Sequence, residues 1–419
     1  MKNKFISGFL SGLAGALFIF TIVLSIYVTR VEGNNNDNKG TDAANEQDST
    51  VDAAEDSADS QAKVLTKINK LEGLIQKFYM EKVDDSALAD GIYKGLLKSL
   101  GDPYSCYYTE KEYNALMESS SGIYCGIGAT VSQDVTTGII TIVKPFVTGP
   151  AHEAGILPGD VVYKVGGEEV TGLDLTEVVG KIKGEEGTKA EITFIREGKA
   201  DPFDVSITRR TIEVPTIEYE MLANKIGYIA VSEFDEITAE QFRKAVEDLE
   251  SQGEVGLVID VRNNPGGLLN TVVDMLDRML PEGLIVYTED KYGTREEELS
   301  TGKEQFDKPL AVLINGNSAS ASEIFAGAIQ DYSLGTIVGT TSFGKGIVQS
   351  IIPLLDGTAI KVTVSKYFTP KGKNIHGIGI KPDVEVDLKD DLKQKVIIKK
   401  DEDNQLQKAI EIINTKLKK

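Results

Sequence analysis

The longest apolar block of the chain comes first. Phe5 to Thr29 carries no charged residue and is rich in Leu, Ile, Phe, Val and Ala, with Gly and Ser interspersed. Its 25 residues exceed the ~20 that cross a bilayer as a helix. Lys2 and Lys4 precede it, which places the N-terminus in the cytoplasm. A cleaved signal peptide is the rival reading. Against it, the run is longer than a signal core of ~7–15 residues, and no small-x-small site closes it. Residues 1–32 are therefore expected to be a cytoplasmic N-terminus and a retained transmembrane anchor. Residues 33–62 invert the pattern: Asn, Asp, Glu, Ala, Ser and Thr, with eight acids against Lys39 alone. Such a segment buries no core and is expected to be a disordered, self-repelling linker.

Helical periodicity opens residues 63–121, where Val64, Ile68, Leu71, Leu74, Ile75 and Phe78 share one face. Ser86 is a candidate cap for a second helix through Leu88, Ile92, Leu96 and Leu97, and Gly101-Asp102-Pro103 ends it. Residues 122–210 switch to short strands and turns. Strands are expected at Ile139–Val143, Val161–Val165 and Ala190–Arg196, and one helix at about Asp174–Ile182. Residues 211–388 alternate: strand Ile226–Val231, helix Ala239–Ser251, strand Val255–Val261, helix Leu268–Leu280, strands Leu284–Tyr287 and Pro309–Ile314, and a later strand Ala359–Tyr367. That alternation argues a largely parallel sheet covered by helices. Residues 389–419 are lysine-rich and end in a helix whose stripe is Leu406, Ile410, Ile413 and Leu417. The stripe packs on the body or on a second subunit.

Composition narrows the function classes. The 419 residues carry a formal charge of −20, which argues against nucleic acid as a partner. Apolar content of 41% and charged content of 26% are those of a globular protein. Cys106 and Cys125 lack metal-ligand spacing, and both a disulfide and two thiols are open to them. His152 and His376 are far apart in sequence. No metal and no cofactor is expected.

Three stretches carry candidate chemistry. In Leu313-Ile314-Asn315-Gly316-Asn317-Ser318-Ala319-Ser320-Ala321-Ser322-Glu323, a buried strand turns into a helix, with Ser320 at the junction. A hydroxyl there lies beside the free N–H groups of a helix's first turn, which suits a nucleophile facing an oxyanion. It also suits an ordinary serine cap. In Gly344-Lys345-Gly346-Ile347-Val348-Gln349, a lysine stands in a glycine-flanked, mostly uncharged loop. Desolvation there lowers its pKa and lets it accept a proton, with Gln349 in position to hold the amine. In Asp260-Val261-Arg262-Asn263-Asn264-Pro265-Gly266-Gly267, an N–H of Gly266 or Gly267 is available to join that of Ala321 in an oxyanion hole.

In this order the three stretches resemble the C-terminal processing peptidases, or tail-specific proteases, a serine-peptidase family with a Ser-Lys dyad. The resemblance rests on the Ser-Ala-Ser-Ala-Ser-Glu, Phe-Gly-Lys-Gly-x-Val-Gln and Asp-x-Arg-x-Asn-x-Gly-Gly runs and covers roughly Leu65 to Leu388. It implies Ser320 as nucleophile, Lys345 as general base and Gln349 as its assistant. One departure stands out: where many members have three glycines, this chain has Asn264-Pro265-Gly266-Gly267, and proline has no N–H to offer. Residues 122–210 resemble a PDZ domain. In it Gly126-Ile127-Gly128 would present N–H groups to a peptide's terminal carboxylate. The family also implies dimer contacts through the N-terminal helical pair, so a second copy is a candidate partner.

The expected architecture is α/β with β modules: transmembrane helix, helical segment, PDZ domain (122–210), α/β protease core (211–388) and helical tail (389–419). The expected activity is a membrane-anchored serine endopeptidase, with its catalytic part outside the cytoplasm, acting on proteins or peptides with exposed C-terminal tails. The rivals are a catalytically silent PDZ adaptor tethered to the membrane, and a Ser-His hydrolase using His376.

Overall fold

The computed structural model describes residues 49–395 and 398–418. The anchor expected over residues 1–32, and the start of the acidic linker, lie outside them. Among the described residues, no helix is long and apolar enough to cross a membrane. The described chain falls into two units that divide between Leu88 and Ala89.

In the first unit a helix spans Ser49–Phe78. It therefore covers the second half of the segment expected to be a disordered linker. The composition there excludes a core but not a helix: Ala53, Ala54, Ala58, Gln61 and Ala62 are strong helix formers. The next helix, Asp85–Lys98, starts two residues earlier than a cap at Ser86 would allow. Asp84 takes the capping role, its Oδ1 accepting from the Ser86 N–H (2.9 Å) and hydroxyl (2.7 Å).

The second unit contains a β module and an α/β core. The module is an antiparallel sheet of strands Ala129–Gln133, Ile140–Pro145, Val161–Val165, Lys189–Ile195 and Phe203–Thr208, in that order, with Glu168–Glu169 paired to the third. The helix Leu175–Ile182 is capped by Asp174, which accepts from the Thr176 N–H at 2.8 Å. Its inner face joins Ile140, Ile142, Ile192, Phe194 and Ile207 in one core.

The core sheet runs Ile217–Met221, Ile226–Val231, Gly256–Asp260, Leu310–Ile314, Gly335–Gly339 and Val384–Glu385. The first pair is antiparallel and every later pair is parallel. Gly256–Asp260 and Leu310–Ile314 are buried at every position, as strands covered on both faces must be. Alternate residues serve the two faces. Leu257, Ile259, Val312 and Ile314 meet the helices Thr238–Ser251, Leu269–Asp277 and Ala321–Asp331. Val258, Ala311 and Leu313 meet Leu406, Ala409 and Ile413 of the final helix, Asn404–Leu417. The tail thus packs on its own body. Asp403 fixes it, capping the helix through the N–H groups of Gln405 and Leu406 (3.0 Å each) while bonding Arg262 at 2.7 Å.

One expectation fails. The strand over Leu284–Tyr287 does not enter the parallel sheet. Gly283–Asp290 belongs to a second, antiparallel sheet with Arg295–Ser300, Ala359–Phe368, Ile347–Pro353 and Cys106–Tyr108. The strand-helix rhythm breaks at Leu280 and gives way to a hairpin, Gly283–Asp290 with Arg295–Ser300. Arg295–Ser300 is exposed at all but its last position, so it lacks the apolar alternation that marks a strand. This sheet matters because its strand Ile347–Pro353 begins just after Lys345. Cys106 and Cys125 are both free thiols.

Candidate active site

Ser320 ends the turn from strand Leu310–Ile314 into helix Ala321–Asp331. Its backbone sits at φ 54°, ψ −115°, a left-handed conformation that costs a non-glycine residue about 1–3 kcal/mol. Surrounding bonds impose it. The Tyr367 hydroxyl donates to the Ser320 carbonyl (3.1 Å). The Ala319 N–H and the Ser322 hydroxyl both donate to the carbonyl of buried Asn264 (3.0 and 2.9 Å). The Asn264 amide donates in turn to Val231 (2.9 Å). The strand-end loops carrying Ser320 and the glycine pair are therefore bonded to each other.

The residue that ties Ser320 to Lys345 is one whose place in the sequence marks it only as helix-forming. Glu323 is fully buried. One oxygen accepts from the Ser320 N–H (2.9 Å) and the Lys345 N–H (2.8 Å). The other accepts from the Ser342 hydroxyl (2.6 Å) and the Gly344 N–H (2.7 Å). A carboxylate three residues after a serine cap is the signature of a capping box, so the signal was present. Its reach to a second loop was not visible.

Ser320, Ala321, Lys345, Gln349 and Gly267 line one cavity of about 330 Å3. The Ala321 and Gly267 N–H groups make no hydrogen bond among the described residues. The Gly266 N–H is already committed, donating to Asn264 Oδ1 at 2.8 Å. What Gly266 supplies is space: with φ +108°, a Cβ there would lie 2.8 Å from Ser320 Cβ and 3.0 Å from the Ala321 nitrogen.

Lys345 Nζ lies 4.8 Å from the centre of the Tyr104 ring, and no hydrogen bond joins it to the Ser320 hydroxyl or to Gln349. Burial, and then the charge of Lys361, hold its pKa below the usual lysine range, against the opposing carboxylates of Glu323 and Asp102. The Gln349 amide donates instead to Thr363 Oγ1 (3.3 Å), whose hydroxyl bonds Asp102 (2.7 Å). His376 lies outside the cavity lining, on an exposed loop, its N–H bonded to Asn374 Oδ1 (3.1 Å).

Gly126, Ile127 and Gly128 stand elsewhere, in the β module. Ile127 lines a second, mostly apolar cavity of about 240 Å3 with Tyr124, Ala129, Val131, Phe146 and Val179. Gly128 has φ +72°. The phenol oxygen of Tyr124 faces the N–H groups of Gly128 and Ala129. Burial pushes its pKa up, and those two N–H groups pull against the rise. The N–H groups of the expected carboxylate site thus have a side chain of the chain itself beside them.

Residues 225–386 match Peptidase family S41, residues 145–196 match the PDZ domain, and residues 20–112 match the Activating protease CtpB N-terminal domain. The chain is 39% identical over 325 residues to the Carboxy-terminal processing protease CtpA of Bacillus subtilis (strain 168), covering 77% of this chain and 69% of that protein. It is 36% identical over 344 residues to CtpB of the same organism, covering 81% and 71%. The chain belongs to peptidase family S41. It is a serine-type, C-terminal processing peptidase with a PDZ domain, and its substrates are proteins. Among solved structures, the photosystem II D1 C-terminal processing protease is 30% identical, with a TM-score of 0.46 over 76% of this chain and 86% of that one.

The Glu323 bonds give this S41 member a testable dependence. Glu323→Gln sets an amide NH2 against N–H donors and leaves a buried donor unsatisfied. That should lower the unfolding free energy by about 2–3 kcal/mol. Urea unfolding measures it, and an unchanged midpoint would show that the carboxylate holds nothing together.

Proposed function

We propose that the chain is a membrane-anchored serine endopeptidase that works outside the cytoplasm and cuts with a Ser320–Lys345 dyad. The observation that supports the dyad most directly is the Glu323 carboxylate, bonded at once to the backbones of both residues. In this mechanism Ser320 Oγ attacks the scissile carbonyl carbon while Lys345 Nζ takes the hydroxyl proton. The oxyanion rests against the N–H groups of Ala321 and Gly267. As the C–N bond breaks, the proton on Lys345 leaves with the amine. Water then attacks the acyl-serine by the same route, giving up its proton through Lys345 and releasing the new carboxyl terminus and the Ser320 hydroxyl. At rest the amine lies over Tyr104, so it turns toward Ser320 on substrate binding. Gln349, on the same cavity wall, is the group that would then hold it.

Ser320→Ala and Lys345→Ala should each lower peptide hydrolysis by about four orders of magnitude or more, and the double variant should be scarcely worse, because the pair acts as a unit. The base must be neutral, so activity should rise with pH through the lowered pKa of Lys345. Substantial turnover by Lys345→Ala, or an optimum well below neutrality, would remove the dyad.

Anchoring rests on the uncharged run Phe5–Thr29 behind Lys2 and Lys4. A reporter fused after Lys419 should be active only on the outer side of the membrane. Recovery of the intact chain in the soluble fraction would contradict the anchor.

Tail reading rests on the donors of Gly128 and Ala129 beside an apolar cavity. An arriving carboxylate displaces the Tyr124 phenol. Amidating a substrate's C-terminus should therefore weaken binding, and Tyr124→Phe, which removes the competing oxygen, should widen the gap between free-acid and amidated peptides. Equal binding of the two by both proteins, in a titration, would take tail recognition out of the mechanism.

A further inference from the structure

The cavity that holds Ser320 also holds an acidic pair that the hydrolysis above does not use. Glu233 and Asp235 flank Phe234 just beyond the strand Ile226–Val231, and both line the cavity. Asp235 is only 6% exposed, yet its carboxylate accepts no hydrogen bond and makes no ion pair among the described residues. Its backbone, by contrast, is fully engaged. The N–H donates to Thr238 Oγ1 (3.0 Å), and the carbonyl accepts from the Thr238 N–H (3.0 Å) and the Thr271 hydroxyl (3.1 Å). The segment is pinned and the carboxylate is left over. Burial, and then the charge of Glu233, push the Asp235 pKa up to about 7; Glu233 itself is exposed. The oxygens still reach solvent, so a poorly solvated carboxylate left unpaired at this cavity is open to a partner that arrives from outside.

The rest of the cavity indicates what that partner is. Phe234, Leu268, Ile324 and Ile347 supply apolar wall. The other charged groups in the lining are Lys345 and Lys361, and neither is bonded to Asp235. Among the described residues no group of three or more His, Cys, Asp or Glu side chains gathers that could hold a metal ion. A long side chain with an apolar stem and a cationic tip fits both features.

We propose that Glu233 and Asp235 determine specificity, taking the cationic side chain of a lysine or arginine close to the scissile bond while its methylenes lie on the apolar wall. The inference rests on Ser320 being the nucleophile, because that assignment makes this cavity the substrate's cleft.

The test uses peptides sharing one C-terminal tail, with a single lysine or norleucine moved through each position flanking the cut. At one position the full-chain enzyme at pH 8 should prefer lysine in kcat/KM by about tenfold or more, as expected for a desolvated ion pair. In Asp235→Asn and in Glu233→Gln the ratio should fall toward one. It should also fall as pH drops through about 7, because the protonated pair offers less charge. Titration of Lys345 scales both peptides alike and cancels in the ratio. Absence of a lysine preference at every position, or a preference that survives both substitutions, overturns the proposal. If the enzyme cuts none of the peptides, the Ser320 reading is what fails. Calorimetric binding of the same peptides to Ser320→Ala then still reads the pocket, and equal affinities for lysine and norleucine overturn it. Stability gives a readout independent of substrate. The folded pKa lies above the usual 3.8, so ionised Asp235 destabilises the fold progressively as pH rises from about 4 to 7. Asp235→Asn should raise Tm at pH 8 more than at pH 5, and a fall in Tm at pH 8 would show that the carboxylate has a structural partner.

Discussion

A single buried carboxylate sets the geometry on which the rest of the site depends. Glu323 receives four donors from three backbone N–H groups and one hydroxyl. Each side of that cluster belongs to a different architectural layer. Ser320 ends a loop of the parallel sheet, whereas Lys345 leads into the strand Ile347–Pro353 of the antiparallel sheet. Neither sheet alone brings a hydroxyl and an amine into one cavity. The carboxylate does, and because it bonds the backbones of Ser320 and Lys345 rather than their side chains, it leaves Ser320 Oγ and Lys345 Nζ uncommitted to it. In a low-dielectric interior such a cluster is rigid when complete and costly when one donor is lost.

The glycine pair illustrates the same economy of backbone. Gly266 has no free N–H, since Asn264 Oδ1 accepts it, but its missing Cβ lets the loop approach Ser320. Gly267, at φ +146°, keeps its N–H uncommitted. Asn264 serves both loops, with its carbonyl accepting from Ala319 and Ser322 and its side chain bridging to Val231 and Gly266. Proline at 265, which would be a defect if position 265 had to donate, leaves that arrangement intact.

Much of this was legible in the sequence because it is local. Fully apolar runs such as Leu310–Ile314 mark strands buried on two faces, and small residues around Ser320 mark a tight strand-to-helix turn. The choice between Gly266 and Gly267 was not legible, because it turns on where a side chain 2 residues away places its oxygen. The antiparallel sheet escaped because Arg295–Ser300 is charged and solvent-facing, so its membership depends on pairing with Gly283–Asp290 rather than on burial. Tyr124 escaped for a third reason. A tyrosine in a short strand carries no mark that its oxygen will turn toward a glycine loop. Glu323 lies between these cases, since its short-range bond follows a known cap pattern while its long-range bonds do not.

The site gathers several features that oppose folding: a left-handed serine, a desolvated lysine and a buried carboxylate at Asp235 with no partner among the described residues. Such features persist only where the surroundings over-determine the backbone. Here the surroundings are strands packed on both faces, with Leu257, Ile259, Val312 and Ile314 against one helical layer and Val258, Ala311 and Leu313 against the tail helix. The tail's attachment is the Asp260–Arg262–Asp403 cluster, bonded at 2.6 and 2.7 Å. Arg262 directly precedes Asn263 and Asn264 in the chain, so the clamp that seats the final helix also anchors the start of the loop that approaches Ser320. Stability and site geometry therefore meet at the C-terminal end of one strand, Gly256–Asp260. The tail helix, far from the cavity in sequence, is joined to the start of the glycine loop through Asp403 and Arg262.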